Sequence, residues 1–300
     1  MFGVTILGNN SAIPAFDRHP TAQVVTIKDQ LLLLDCGEGT QMQIAKYRIK
    51  SSKINYVFIS HLHGDHYFGL IGLITTMSLL NREKELHIFG PKELEDILNI
   101  QLNVANTVLS YSLHFHAISK EKIILETSSF QVECFKTNHR IECWGFLIRE
   151  KKAPRKINKE KVLQHQIPLS FYSSLQLGKD YTTKEGLLIK NIDVTDANSN
   201  AKSYAYCADT IYDETLVDKV QNVSLLYHET TYLKDGFEKA SQRFHTTSTQ
   251  AATIASKAKV DKLIIGHFSS KYENIEPFLV EAKEVFENTE LAIEGLCFKI

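Results

Sequence analysis

Short apolar runs that end in a chemically capable side chain recur along this chain of 300 residues. Ile54-Asn55-Tyr56-Val57-Phe58-Ile59-Ser60 leads directly into His61-Leu62-His63-Gly64-Asp65-His66. Four further segments share the pattern: 132–139 closes on His139, 203–209 on Asp209, 223–229 on His228-Glu229 and 262–267 on His267. Each reads as a strand feeding its last residue into a loop, where a rigid scaffold holds reactive groups. Gln23 to Leu34 reads as two short strands about the turn Lys28-Asp29. Helical spacing alternates with these strands. It predicts helices over 39–47 after the Gly37/Gly39 bend, over 66–80 (Phe68, Ile71, Ile74, Met77) and over 94–102. Two more are predicted over 249–259 (Ala251, Ala252, Ile254, Ala255, Ala258) and over 277–286, the latter with Pro277 in its first turn. From 149 to 192 the rhythm breaks. That segment is basic, then polar, with Pro154, Pro168, Gly178 and Gly186, and reads as an inserted arm outside the main core of a single 1–300 domain.

Composition adds limits. With 43% hydrophobic and 23% charged residues the chain reads as an ordinary soluble globular protein able to bury a large core. Its five cysteines are odd in number, widely spaced and without a C-x-x-C pair, which predicts reduced, mostly buried thiols and an intracellular, cytoplasmic setting. Met1 to Gly8 lacks a basic start followed by a long apolar core, so no secretion signal is expected. The longest apolar stretch, about 70–80, is interrupted by Gly72, Thr75, Thr76 and Ser78 and is too short to span a bilayer. Net charge is −1, yet Arg149, Lys151, Lys152, Arg155, Lys156, Lys159 and Lys161 stand against only Glu150 and Glu160. This local +5 leaves the rest of the chain near −6. Alone, such a run reads equally well as a solvated face.

The chemistry concentrates in 61–66. Imidazoles and a carboxylate at the end of a strand suit divalent zinc, whereas a core strand has no structural use for them. In an extended segment His61 and His63 point the same way, and a turn at Gly64 lets Asp65 and His66 face a second ion. His19, His87 and His165 carry no catalytic expectation. His114 and His116 alternate about Phe115 as on a strand; such rings are commonly just hydrogen-bonded, with a stray metal the minority reading. Tyr204 and Tyr206 read as packing groups.

These residues resemble the metallo-β-lactamase superfamily and, within it, the ribonuclease Z family of tRNA 3′-processing endonucleases. The run at 61–66 identifies the superfamily. The narrower resemblance rests on Asp35-Cys36-Gly37-Glu38-Gly39-Thr40-Gln41, His228-Glu229-Thr230-Thr231 and His245-Thr246-Thr247, the last two each with one substitution from the family's His-Glu-Ala-Thr and His-Ser-Thr. It implies an α/β fold, the four-layer αβ/βα sandwich with two mixed β-sheets between helices and a protruding arm. It implies two zinc ions per subunit, manganese or iron being alternatives. His61, His63 and His139 would hold one, and Asp65, His66 and His267 the other, with Asp209 bridging. Asp35 would support a ligand through a hydrogen bond. Asp65 would take the proton of the attacking water, and Glu229 would orient a His245 imidazolium that protonates the leaving ribose 3′-oxygen. His228, beside Glu229 at a strand end, is left open between a part in the site and merely orienting its loop. Two divalent ions against Asp65 and Asp209 leave a positive excess suited to a phosphodiester.

The resemblance also implies a homodimer acting on precursor tRNA, in which one subunit's arm presents the tRNA elbow to the other's site. The basic stretch at 149–161 would then touch phosphates. Two departures stand out. Ile167-Pro168-Leu169-Ser170 replaces the family's Gly-Pro near the arm tip, and Pro14-Ala15-Phe16-Asp17-Arg18-His19 keeps only the Pro and Arg of a substrate-handling loop. The rival readings are a small-molecule hydrolase of the same fold (cyclic-nucleotide phosphodiesterase, arylsulfatase or lactonase) and an idle RNA-binding scaffold.

Overall fold

A computed structural model describes residues 2–151, 153–198 and 200–300. The chain divides into two compact units, one comprising the chain up to Glu126, Val132–Ile148 and Ser203–Ile300, the other Thr127–Gln131 with Arg149–Lys202.

In the first unit the β-branched and aromatic runs form strands, most of them buried on both faces, while the outer strands Leu113–Ala117 and Lys122–Glu126 are largely exposed. Among the described residues these assemble into two seven-stranded sheets. One sheet runs Cys297–Lys299, Phe2–Gly8, Ala22–Ile27, Gln30–Leu34, Ile54–Phe58, Leu86–Gly90 and Leu113–Ala117 in spatial order. Its Phe2–Gly8, Ala22–Ile27 and Gln30–Leu34 strands pair antiparallel, and Gln30–Leu34 onward pair parallel. The other sheet runs Thr289–Leu291, Leu263–Gly266, Leu225–Glu229, Ser203–Cys207, Cys143–Glu150, Phe130–Thr137 and Lys122–Glu126, the first four being parallel.

The sheets face each other through Phe58 against Phe146 at 5.4 Å and through the Tyr206 hydroxyl, which donates to Asp35. On the outer face of the first sheet, Val57, Ile59 and Ile88 pack with Leu73, Ile74 and Met77 of the Leu70–Leu79 helix and with Leu94 and Leu98 of Glu93–Val104. On the outer face of the second, Leu226, Leu263 and Ile265 pack with Ala251, Ile254 and Ala255 of the Ser248–Lys257 helix and with Phe278 of Glu276–Lys283. Helix, sheet, sheet, helix is the expected αβ/βα order.

One helix departs from its sequence reading. The spacing over 66–80 predicts one continuous helix, but the structure breaks it into Gly64–Tyr67 and Leu70–Leu79. Gly69 sits at the break, its N–H donating to Cys36 O at 2.9 Å. A Cβ there would lie 2.1 Å from Gly37 O, so backbone docking outweighs the periodicity. Phe68, read as part of the apolar face, is instead 62% exposed.

In the second unit Lys156–Ile157 pairs with Thr195–Asp196, and Tyr181–Thr182 with Leu188–Ile189. Short helices Lys159–Gln164 and Tyr172–Gln176 enclose a small core of Val162, Ile167, Leu175, Ile189 and Val194. The arm read over 149–192 thus carries its own apolar centre, in a unit that continues to Lys202. All five cysteines are free thiols, four of them buried and Cys297 exposed. No described helix is long and apolar enough to cross a membrane.

Candidate metal centre

Strand ends deliver the cluster. His61 follows Ile54–Phe58, His139 follows Phe130–Thr137, Asp209 follows Ser203–Cys207 and His267 follows Leu263–Gly266. The side chains converge on one place at the ends of these strands. Ligand atoms of His61, His63, His139 and Asp209 lie within 4.8 Å of one another, as do those of Asp65, His66 and His267.

Outer hydrogen bonds settle which nitrogens face inward. The Phe244 carbonyl can only accept, so His139 Nδ1 donates to it at 2.9 Å. His66 Nδ1 donates to Asp35 Oδ2 at 2.7 Å. Ser60 Oγ donates to Asp35 and therefore accepts from His61 Nδ1 at 3.0 Å. Thr231 Oγ1 donates to Glu229 and accepts from His267 Nδ1 at 2.9 Å. In neutral rings these bonds leave Nε2 of His61, His66, His139 and His267 as bare lone pairs.

Those lone pairs crowd together. His63 Nδ1 lies 3.0 Å from His61 Nε2 and 3.1 Å from His139 Nε2, and His66 Nε2 lies 3.3 Å from His267 Nε2. Nitrogens bound tetrahedrally to zinc sit about 3.3 Å apart. Asp209 Oδ2 is 3.6 Å from His61 and 3.8 Å from His139, while Oδ1 is 3.5 Å from His66 and 3.3 Å from His267. Oδ1 is buried with no hydrogen-bond partner among the described residues. Such an oxygen is costly to bury unless a cation satisfies it. The donor set therefore fits divalent metal binding, with Asp209 between the two groups of donors.

Electrostatics agree. Burial and the neighbouring imidazoles hold His61 well below its ordinary value and push His63 down to about 4, so both lone pairs stay available near neutrality. For His66 burial also acts downward, but the carboxylates of Asp209, Asp65 and Asp35 outweigh it and hold the ring well above its ordinary value. An incoming cation would displace that proton.

Asp35 is the buried anchor. It accepts from Ser60 N (2.7 Å), Ser60 Oγ (2.8 Å), His66 Nδ1 (2.7 Å) and Tyr206 Oη (2.6 Å). Its backbone is left-handed at φ 54°, a conformation Asp and Asn tolerate. Asp35→Asn should keep this turn yet lose the charge that orients His66. Metal affinity is expected to fall about 10- to 100-fold, read by zinc titration against a competing chelator; unchanged affinity would remove the assigned role.

Beside the cluster, Glu229 is fully buried and accepts from Thr210 N, Thr246 N, Thr231 N and Thr231 Oγ1. His245 Nδ1 lies 3.1 Å from Glu229 Oε1. Burial disfavours its proton, but Glu229 more than compensates and raises the His245 pKa above its ordinary value. The two threonines after His245 have separate tasks: Thr246 bonds Glu229 through N and Oγ1, and Thr247 forms a capping box with Gln250 at the start of Ser248–Lys257. His228 is buried and donates from Nδ1 to the Glu229 carbonyl at 2.7 Å, which orients the loop.

A cavity of about 300 Å3 opens on the centre, lined by Ser11, Ala12, His63, Gly64, Asp65, Phe68, Arg140, Asp209 and His245. A larger one of about 590 Å3, lined by residues 49–53, Met77 and residues 80–84, presents no imidazole. Ser11, Ala12 and Arg140 were not singled out from sequence, and Phe68 was read only as part of a helix's apolar face. Only the adjacency of Arg140 to His139 hinted at its place. Tyr206, read as a packing group, also serves Asp35 through its hydroxyl. Arg18, expected in a substrate-handling loop, donates instead to Asn10, Tyr272 and Glu273.

Among the basic residues of the second unit, Lys156, Lys159 and Lys161 are exposed, and Arg149 and Lys151 are half-buried. Arg155 donates to Thr195 Oγ1 at 2.6 Å and to its carbonyl at 3.1 Å, bracing the pairing of Lys156–Ile157 with Thr195–Asp196. Lys152 lies outside the described residues.

A protein-family model described as anti-Pycsar protein Apyc1 matches residues 2–160. Among solved structures the chain is similar to the short form of human tRNase Z (TM-score 0.73, 24% identity, 99% of both chains covered). It is also similar to the metallo-β-lactamase fold protein YhfI from Bacillus subtilis (TM-score 0.70, 19% identity, 99% and 98% covered); both likenesses establish the fold. The ribonuclease Z of Bacteroides thetaiotaomicron is 41% identical, with 100% of this chain and 95% of that protein covered. That of Bacteroides fragilis strain YCH46 is 43% identical over 301 residues, spanning 100% of this chain and 99% of that protein. Likeness of this degree along the whole length means that the chain belongs to the ribonuclease Z family of endoribonucleases, built on the metallo-β-lactamase fold.

Proposed function

We propose that this chain removes 3′ trailers from tRNA precursors by metal-dependent hydrolysis, leaving a 3′-hydroxyl on the tRNA and a 5′-phosphate on the trailer. The observation that carries this reading is the paired donor cluster spanned by Asp209 beside the Glu229–His245 pair. His61, His63 and His139 would hold one cation and Asp65, His66 and His267 the other, with Asp209 shared. When bound, two zinc ions (or manganese or iron) supply Lewis acidity toward water and a phosphoryl oxygen. Asp65 accepts the proton of the attacking water, its Oδ2 steadied by the Ala12 N–H at 2.7 Å. The new bond joins water oxygen to phosphorus, and the bond to the ribose 3′-oxygen breaks. His245, kept protonated by Glu229, donates its proton to that oxygen. Arg140, at the rim of the cavity, offers a guanidinium to flanking phosphates.

The exposed lysines of the second unit would supply shape-directed, salt-dependent grip on the tRNA elbow. A homodimer, one subunit's arm serving the other's site, and a cytoplasmic location belong to the same reading, supported by the family resemblance and the free thiols. A second reading, a small-molecule phosphodiesterase, is favoured by the match of a differently described family to residues 2–160. That span contains 61–66 and His139 but ends before Asp209, Glu229, His245 and His267.

Charge reversal separates the two readings. In the triple variant Lys156→Glu, Lys159→Glu, Lys161→Glu, binding of a 3′-extended tRNA precursor should weaken and its log–log salt slope should shrink by roughly 2 to 3. Hydrolysis of bis-(p-nitrophenyl) phosphate should be unchanged. Turnover of the dye ester with no precursor cleavage, in the unmodified protein, would favour the small-molecule reading.

A further inference from the structure

The cavity that opens on the metal centre carries a phenyl ring in its wall. Phe68 lines it together with Asp65, Arg140 and His245, and the residue is 62% exposed. A phenyl ring left in water forgoes the gain of burial, and helical spacing would have placed this one on the apolar face. The break at Gly69 turns it outward instead. Two neighbours fix its position. The ring lies over Gly64, where a Cβ would come within 2.1 Å of Phe68 Cε2, and the Tyr67 ring meets it at 5.0 Å with 65° between planes. An aromatic ring and a guanidinium sharing one cavity are the pairing that holds single-stranded nucleic acid: a base stacks on the ring while the cation takes a phosphate.

We propose that Phe68 is a stacking platform for the base of the first trailer nucleotide, the one joined to the scissile phosphate through its 5′-oxygen. This deepens the trailer-removal reading and rests on it. An in-line displacement puts the attacking water and the departing ribose 3′-oxygen on opposite sides of phosphorus. In that reading Asp65 serves the water's side and His245 the departing side, while the trailer's 5′-oxygen stays on phosphorus. Phe68 follows Asp65 by three residues, and its N–H donates to Gly64 O at 2.9 Å. Residues so spaced are neighbours on one side of a helical turn. The ring is therefore assigned to the side away from the departing tRNA end, where the trailer continues. Every base has a π face, so such a platform fixes position and tolerates sequence.

The test measures kcat/KM for a 3′-extended tRNA precursor whose first trailer nucleotide is either intact or abasic. Phe68→Ala should lower efficiency on the intact precursor by about 5- to 150-fold, chiefly through KM. Removing the base should cost wild type a similar factor, and Phe68→Ala should lose no more than about twofold beyond that on the abasic precursor. Phe68→Trp should stay within about threefold of wild type on the intact precursor, and mature tRNA should bind all three proteins alike. Losses that multiply, equal efficiency of wild type and Phe68→Ala, or mature-tRNA binding lost in step with cleavage would each overturn the platform. A wild type that leaves the precursor uncut would remove the trailer-removal reading as well, whereas cutting with multiplying losses would remove this inference alone.

Discussion

Asp65→Ala is expected to lower single-turnover cleavage of a precursor tRNA by about 10,000-fold or more, while tRNA affinity stays within about threefold of wild type. The side chain stands at the meeting point of three contacts. Its Oδ2 lies 3.3 Å from His267 Nε2 and 3.6 Å from His66 Nε2, and it accepts the Ala12 N–H at 2.7 Å. On the proposed roles, truncation would delete a donor to one cation and the acceptor for the water's proton together. Substrate grip is assigned to lysines of the other unit, so binding and chemistry should separate. Quench-flow cleavage and filter binding on the same preparations read both quantities. A variant that cuts within tenfold of wild type, or loses binding in step with cleavage, contradicts the role given to Asp65.

His245→Ala is the second large effect, with an expected fall in kcat of about 100- to 10,000-fold. Glu229→Gln should approach the same loss, because the imidazolium depends on the neighbouring carboxylate. If the pair acts as a unit, the double variant will be little slower than either single one. Glu229 is buried and accepts from four groups besides His245. A glutamine amide would point a donor at donors, costing about 3 kcal/mol of stability. The cycle should therefore be measured well below the variant's Tm. Fully multiplicative losses would show the two residues working independently.

Much of this was legible in sequence because strand ends carry the chemistry. The runs ending at His61, His139, Asp209 and His267 were read as strands feeding one centre, and each strand lies within a residue or two of its expected bounds. What sequence could not convey depends on close approach in three dimensions. Nothing local announces that Gly69 must dock against Gly37 and split a helix, or that Phe68 is thereby turned to solvent. Cys143–Glu150 went unread as a strand because it is buried along nearly its whole length and shows no alternation. In the arm, Arg155 counted as one more positive charge, yet it is committed to Thr195, forty residues on in sequence.

Whether water held at the donor pair attacks phosphorus is read from the end groups left on a cleaved 3′-extended tRNA precursor. The expected products are a tRNA 3′-hydroxyl and a trailer 5′-phosphate, with cutting retained when the ribose 2′-hydroxyl at the cleavage site is replaced by hydrogen. A 2′,3′-cyclic phosphate on the tRNA, with a 5′-hydroxyl on the trailer, would contradict it.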